Sequence, residues 1–209
     1  MKNKQGMKKM PNHFQALIEN RRTIYAIGKN VKQSTDELVE IIENAIVHAP
    51  SAFNSQTSRA VLLFGTEHTA FWNMVFDKLK EFLPTDEAVA ATKGKIDSFA
   101  AGVGTVLFFE DMDVVKSLQE QFALYADNFP VWAEHSTGIA QFAVWTALAE
   151  NGVGASLQHY NPIIDDQVHA KWEVPSNWKL RAQLVFGSIE APAGEKSFMD
   201  NATRFKVYK

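Results

Sequence analysis

The stretch from Val131 to Glu150 constrains the fold of this chain more than any other. Ile139, Ala140, Phe142, Ala143, Val144, Trp145 and Leu148 follow one another so closely that apolar side chains occupy almost every face of the expected helix. A helix at a protein surface keeps one polar side, so a helix without one is expected to be covered all round. In a chain of 209 residues it is either the axis of a single core or part of a subunit interface. Asn151-Gly152 supplies the stop, since glycine reaches the left-handed conformation that ends helices.

The other elements arrange themselves around that helix. His13 to Arg22 reads as a short helix with Phe14, Leu17 and Ile18 on one side. Ser34-Thr35-Asp36-Glu37 is a capping-box pattern, and Leu38, Ile41, Ile42, Ala45 and Ile46 then recur at helical spacing. Ala60 to Gly65 and Val106 to Phe109 are apolar runs of buried-strand length, as are Val153 to Leu157 and Leu180 to Gly187. Helices are expected after Thr66 as a cap, from Pro84-Thr85-Asp86-Glu87 to Ala100, from Asp111, and over Ile164 to Trp172. Leu124 to Trp132 reads as an aromatic-rich loop, and the tail from Ala191 as a loop whose Phe198, Arg204, Phe205, Val207 and Tyr208 are free to dock. Seven helices and four strands place the chain in the α+β class, with helices packed around one sheet.

Several function classes drop out. A formal net charge of −3 argues against a nucleic-acid or anionic-membrane binder. The chain has no cysteine, which removes disulfides, Cys-ligated metals and thiol nucleophiles. No stretch approaches the roughly 18 apolar residues of a membrane span, and the basic N-terminal segment lacks the apolar core of a signal peptide. We expect a flexible segment over 1–11, a single domain over 12–209 and a cytoplasmic location. The six histidines show no metal-ligand spacing, so no metal site is expected. Gly152-x-Gly154 and Gly102-x-Gly104 both lack the third glycine of a dinucleotide fingerprint, and no Walker loop, HExxH or Gly-x-Ser-x-Gly is present. Chemistry, if any, then rests on a borrowed cofactor.

Polar groups suited to gripping one are present. Between the second helix and the first strand lies a loop, His48 to Arg59, with hydroxyls, carboxamides and a guanidinium. On its own it is either a ligand grip or a plain connector. Arg21, Arg22 and Thr23 offer guanidinium forks and a hydroxyl suited to a phosphate, or complement a helix C-terminus. Arg204 adds a cation near the end of the chain.

Three segments together, Asn20 to Ile24, His48 to Gln56 and Gly152 to Ser156, resemble the FMN-binding stations of the nitroreductase family. The likeness runs from about residue 12 to the end. Phe53-Asn54-Ser55-Gln56, the run from Gln121 to Pro130, and Leu157 to Pro162 are similar to the fatty-acid-repression-mutant-like branch, which includes copper-induced nitroreductases. The resemblance implies a central, mainly antiparallel sheet surrounded by helices and a homodimer with the long helix at its interface. It also implies FMN bound between the subunits. Arg21, Arg22 and Thr23 would contact phosphate, ribityl and pyrimidine atoms, and Arg204 would complete the phosphate site. Ser51, Asn54 and Gln56 would reach the flavin of the other subunit, and Leu157, Gln158 and His159 would lie beside the ring. Phe53, Tyr125, Phe129 and Trp132 would wall an acceptor pocket. The implied activity is electron transfer from NAD(P)H to nitroaromatics, quinones or similar acceptors; a flavin- or small-molecule-binding sensor would share the same residues. The chain departs from the family pattern at Ala202, where many members carry lysine, and at His159-Tyr160, where many carry Glu-Gly.

Overall fold

The computed structural model describes residues 12–209, so the expected flexible segment 1–11 lies outside it. The elements in chain order are α1 (His13–Asn20), β1 (Ile27–Gly28), α2 (Thr35–Val47), β2 (Ser58–Phe64), α3 (Gly65–Lys80), α4 (Asp86–Ala100), β3 (Gly104–Asp111) and α5 (Met112–Gln121). There follow α6 (Phe129–Glu150), β4 (Gly154–Gln158), α7 (Asp165–Lys171), β5 (Trp178–Ile189) and α8 (Asn201–Arg204). The two elements beyond the expected count are β1 and α8, of two and four residues, too short to leave a periodic pattern.

All strand pairs are antiparallel, with β3 between β2 and β5, and with β4 and β1 both paired to β5. The sheet is buried on both faces, which explains the unbroken apolar runs of its inner strands. On β3, Leu107 and Phe109 point into one core with Phe71, Trp72 and Val75 of α3, Ile96 and Phe99 of α4, and Val168 of α7. Val106 and Phe108 point the other way, toward Leu38 and Ile42 of α2 and Val144 and Leu148 of α6. Each such fully buried side chain contributes about 1.5–3 kcal/mol over its exposed state. The result is an α+β arrangement with the sheet as its middle layer.

One irregularity interrupts the sheet. The register between β3 and β5 shifts between Phe108 and Phe109, so β5 carries one extra residue, Arg181. A bulge lets neighbouring residues share a face. Arg181 accordingly turns toward α6 and pairs with Glu134, while its Nε lies 3.5 Å from Glu110 Oε2. Thr137 of α6 donates to Glu110 Oε1 at 2.7 Å. Burial pushes the Glu110 carboxyl above its ordinary range, and the Thr137 hydroxyl and Arg181 oppose that push.

Local signals set the helix starts in most cases. Ser34 Oγ accepts from Glu37 N–H, and Glu37 Oε2 accepts from Ser34 N–H, a closed capping box. Thr85 caps α4 and Asp111 caps α5. Thr66 does not cap α3: the chain passes directly from β2 into the helix at Gly65, whose φ of 55° makes the sharp turn that a cap residue would otherwise introduce. α6 starts at Phe129, two residues before the expected Val131, because a proline is tolerated in the first helical turn. Nor is α6 covered all round within one chain. Its inner side is buried, whereas Val131, Ile139 and Phe142 are exposed.

Candidate functional site

The arginine segment is laid against β4. After α1 ends at Asn20, Thr23 bridges Ala155 in a parallel pairing, and Ile24 N–H donates to Ala155 O at 3.0 Å. The two glycines nearby have separate duties. Gly152, at φ 73°, makes the turn out of α6. Gly154 allows the close approach: a Cβ there would fall 2.9 Å from Cγ2 of Ile24 and 2.9 Å from Cγ1 of Ile189. The fold thus joins the first and third of the three segments along one seam.

The two arginines on that seam differ. Arg22 Nη2 donates to Gly194 O at 2.6 Å, tying the seam to the start of the tail. Arg21 lies over the Trp145 ring of α6 with its guanidinium carbon 4.3 Å from the ring centroid, a cation–π contact. Its Nε is buried and has no hydrogen-bond partner. Burial, and then the charge of Arg22, draw the Arg21 guanidinium below its ordinary value. An anion placed beside the pair would supply the missing acceptor and relieve the repulsion.

Beyond Ala155, β4 continues through Leu157 and Gln158, both half-buried, to an exposed His159. Gln158 Nε2 donates to Ser156 Oγ at 3.1 Å. Arg204 sits exposed on α8, with no polar side-chain partner among the described residues.

The loop between α2 and β2 is a strained structure rather than a slack connector. Phe53, Asn54 and Gln56 all take positive φ, at 57°, 50° and 48°. For residues with a Cβ this costs about 1–2 kcal/mol each. Several hydrogen bonds hold the conformation. Asn54 N–H donates to Ser51 O at 3.0 Å and Gln56 N–H to Ser51 Oγ at 2.9 Å. From the far side, Arg59 Nη1 donates to Gln56 O at 2.6 Å while its Nη2 donates to Asp111 Oδ2 at 2.9 Å. Asp111 Oδ1 in turn accepts from Asn177 Nδ2 at 2.8 Å. Ser51 is therefore engaged in shaping the loop through its oxygen, leaving its O–H proton free. The Asn54 and Gln56 residues stay exposed. No hydrogen bond among the described residues joins this loop to the Thr23–Ala155 seam.

The strain also raises Phe53, 52% exposed, onto a group of aromatic rings. It stacks on Trp132 with centroids 5.8 Å apart and planes 18° from parallel. Phe122, Tyr125 and Phe129 meet Phe53 at 5.0, 6.3 and 5.3 Å. Four of these rings, Phe53, Tyr125, Phe129 and Trp132, are the expected wall residues, and the fold does bring them together. Their positions differ: Phe129 is buried beneath the others, while Phe53 and Tyr125 are exposed. An open depression of about 570 Å³ borders Phe53, Asn54, Asp111, Leu118 and Asn177.

Arg59 stood out in the sequence as the guanidinium of the loop, whereas Asp111 and Trp145 were read only as a helix start and a helix apolar residue. Arg59 closes the polar loop and left a visible signal there. Asp111 and Trp145 act across the fold, and nothing local distinguishes them from a cap and a core residue.

Residues 18–188 match the model of the nitroreductase family. The chain belongs to that family. The nitroreductase FRM2 of Saccharomyces cerevisiae is 37% identical to it over 186 residues, 88% of this chain and 92% of FRM2. Among solved structures, nitroreductase CinD from Lactococcus lactis in complex with nicotinic acid superposes with a TM-score of 0.87 at 57% identity, covering 94% of this chain and all of CinD. A nitroreductase from Saccharomyces cerevisiae gives 0.73 at 35% identity, over 85% of this chain and 97% of its own. The chain shares its fold with these relatives, as the sheet and its two helical layers already indicated.

Proposed function

We propose that this nitroreductase is an FMN-dependent oxidoreductase that works as a cytoplasmic homodimer and passes electrons from NAD(P)H, by a ping-pong mechanism, to nitroaromatics, quinones or similar electron-poor acceptors. The observation that carries this reading is the seam: paired arginines, one with an unsatisfied buried Nε, lie against the strand whose end faces outward at Gln158 and His159. That donor set fits the phosphate and ring edge of a flavin mononucleotide. CinD has been solved in complex with 4-nitrophenol and with chloramphenicol, in addition to nicotinic acid, which supports aromatic ligands for this chain as well.

When bound, FMN would supply the two-electron redox chemistry that links NAD(P)H to the acceptor. The chain's own part is binding and alignment. Arg21, Arg22 and Arg204 would hold its phosphate, and Thr23 would contact the ribityl and pyrimidine side. Leu157, Gln158 and the exposed His159 would lie beside its ring, and the His159 imidazole would offer a proton to the acceptor. Ser51, Asn54 and Gln56 serve the flavin of the second subunit, with the strained loop keeping their free groups turned outward. Phe53, Tyr125 and Trp132 offer flat apolar surfaces to planar acceptors, with Phe129 packed beneath them.

Anaerobic spectroscopy on purified protein tests the reading. The expected result is a yellow protein that bleaches with NADH or NADPH and regains its colour with 4-nitrophenol or a quinone. A protein that stays yellow with both reductants would instead be a flavin-binding sensor, and one that takes up no added FMN would contradict the cofactor assignment.

A further inference from the structure

The side chain of Gln183 is fully buried in the middle of β5, in a strand segment otherwise filled by Ala182, Leu184, Val185 and Phe186. A carboxamide in such a place is costly unless both of its functions are hydrogen-bonded. Both are, and to one short segment. Gln183 Oε1 accepts from Tyr160 N–H at 2.7 Å, and its Nε2 donates to Asn161 Oδ1 at 3.3 Å. Because the Tyr160 amide must donate, the orientation of the carboxamide follows from the network. Gln183 also stands opposite Gln158 in the β4–β5 register, so it grips the chain immediately after β4 leaves the sheet. Tyr160 is held a second way, its ring packed edge-on against Trp72 with centroids 5.8 Å apart. His159 lies between Gln158, fixed by the sheet, and Tyr160, fixed by Gln183.

We infer that Gln183 is a positioning residue for electron transfer: by fixing the Tyr160 amide from inside the core, it holds the Gln158–His159 segment at the reactive edge of the flavin. The inference rests on the proposed function and adds to it a residue that touches neither cofactor nor substrate. The proposed phosphate contacts of Arg21, Arg22 and Arg204 lie outside this segment, so the effect on reduction should far exceed the effect on retention of FMN.

The test compares Gln183→Leu, which removes both bonds at similar volume, with Gln183→Glu. The latter keeps the acceptor for Tyr160 and, protonated in the core, a donor for Asn161. In Gln183→Leu, FMN affinity should stay within about threefold of wild type while the rate of flavin reduction by NAD(P)H falls on the order of tenfold to a hundredfold. The flavin midpoint potential and absorption bands should shift, and amide hydrogen exchange at residues 159–161 should accelerate with or without FMN. Gln183→Glu should restore these properties. Should Gln183→Leu not fold, Asn161→Ala releases one arm of the grip and should give the same changes in smaller measure. Unchanged reduction rate, potential and exchange in a folded variant overturns the inference, as does FMN loss in proportion to the rate. Failure of wild type itself to bind FMN would overturn the functional reading instead, so the two failures are distinct.

Discussion

The seam at Thr23 and the loop at Ser51–Gln56 carry equally polar sequences, yet the fold treats them in opposite ways. The backbone of the seam is finished within one chain, while the Arg21 Nε beside it lacks an acceptor. Sheet hydrogen bonds join Ile24 to Ala155, Gly154 lets the segments close up, and the core begins directly beneath at Ile24 and Ala155. The loop is rigid but unfinished. It is held in three left-handed conformations by Ser51 and Arg59; Asn54 and Gln56 face solvent, and the Phe53 ring, packed on Trp132, keeps half of its surface exposed. The same incompleteness marks Ile139 and Phe142 on α6 and the tail, where Phe198, Phe205, Val207 and the 90%-exposed Tyr208 find no cover. Strain that also turns Asn54 and Gln56 to solvent points to a use elsewhere. The proposed homodimer would answer to this: a second copy of the chain would cover α6 and the tail and bring the loop to a seam not its own.

The largest effect should come from separating the copies. Ile139→Glu with Phe142→Lys changes only exposed positions of α6, so the fold should survive. Sedimentation should show a monomer, and FMN binding should fall below detection although every proposed flavin contact is still encoded. Weakening the finished side comes next. Arg22→Ala with Arg204→Ala removes two of the proposed phosphate contacts, which as charge-assisted hydrogen bonds would be worth about 1.5–3 kcal/mol each, so FMN affinity measured by fluorescence titration should drop by roughly a hundredfold or more. The smallest effect is expected at the loop tip. Phe53→Ala deletes a stacking partner worth about 0.5–1.5 kcal/mol, so KM for 4-nitrophenol should rise about two- to tenfold with FMN affinity unchanged.

How much of this was legible before the fold was known depended on how local its cause was. The capping box at Ser34, the cap at Thr85 and the glycine turn at Gly152 are decided by a few neighbouring residues, and each is where the pattern placed it. The three polar segments stood out as short strings, and the fold joins the first to the third at Thr23, Ile24 and Ala155. What could not be read was conformation or contact imposed from afar. Nothing in Phe53-Asn54-Ser55-Gln56 announces three positive φ angles; they depend on Arg59 being anchored to Asp111 across the sheet. The stacking of Arg21 on Trp145 depends on α6 passing beneath the seam. Apolar residues on every side of α6 do not say which face a partner would cover, and the structure divides them: Val144 and Leu148 inward, Ile139 and Phe142 outward.

The central claim is that each flavin site takes its seam from one chain and its loop from the other, and subunit mixing tests it most directly. One variant, Arg21→Ala with Arg22→Ala, disables the seam; another, Asn54→Ala with Gln56→Ala, disables the loop. Each homodimer should bind FMN poorly. In a purified heterodimer, the account predicts that both defects collect in one site and leave the other intact, so tight FMN binding returns at one flavin per dimer. A heterodimer that binds FMN no better than either parent would mean that seam and loop serve the same site from the same chain, and would contradict the account.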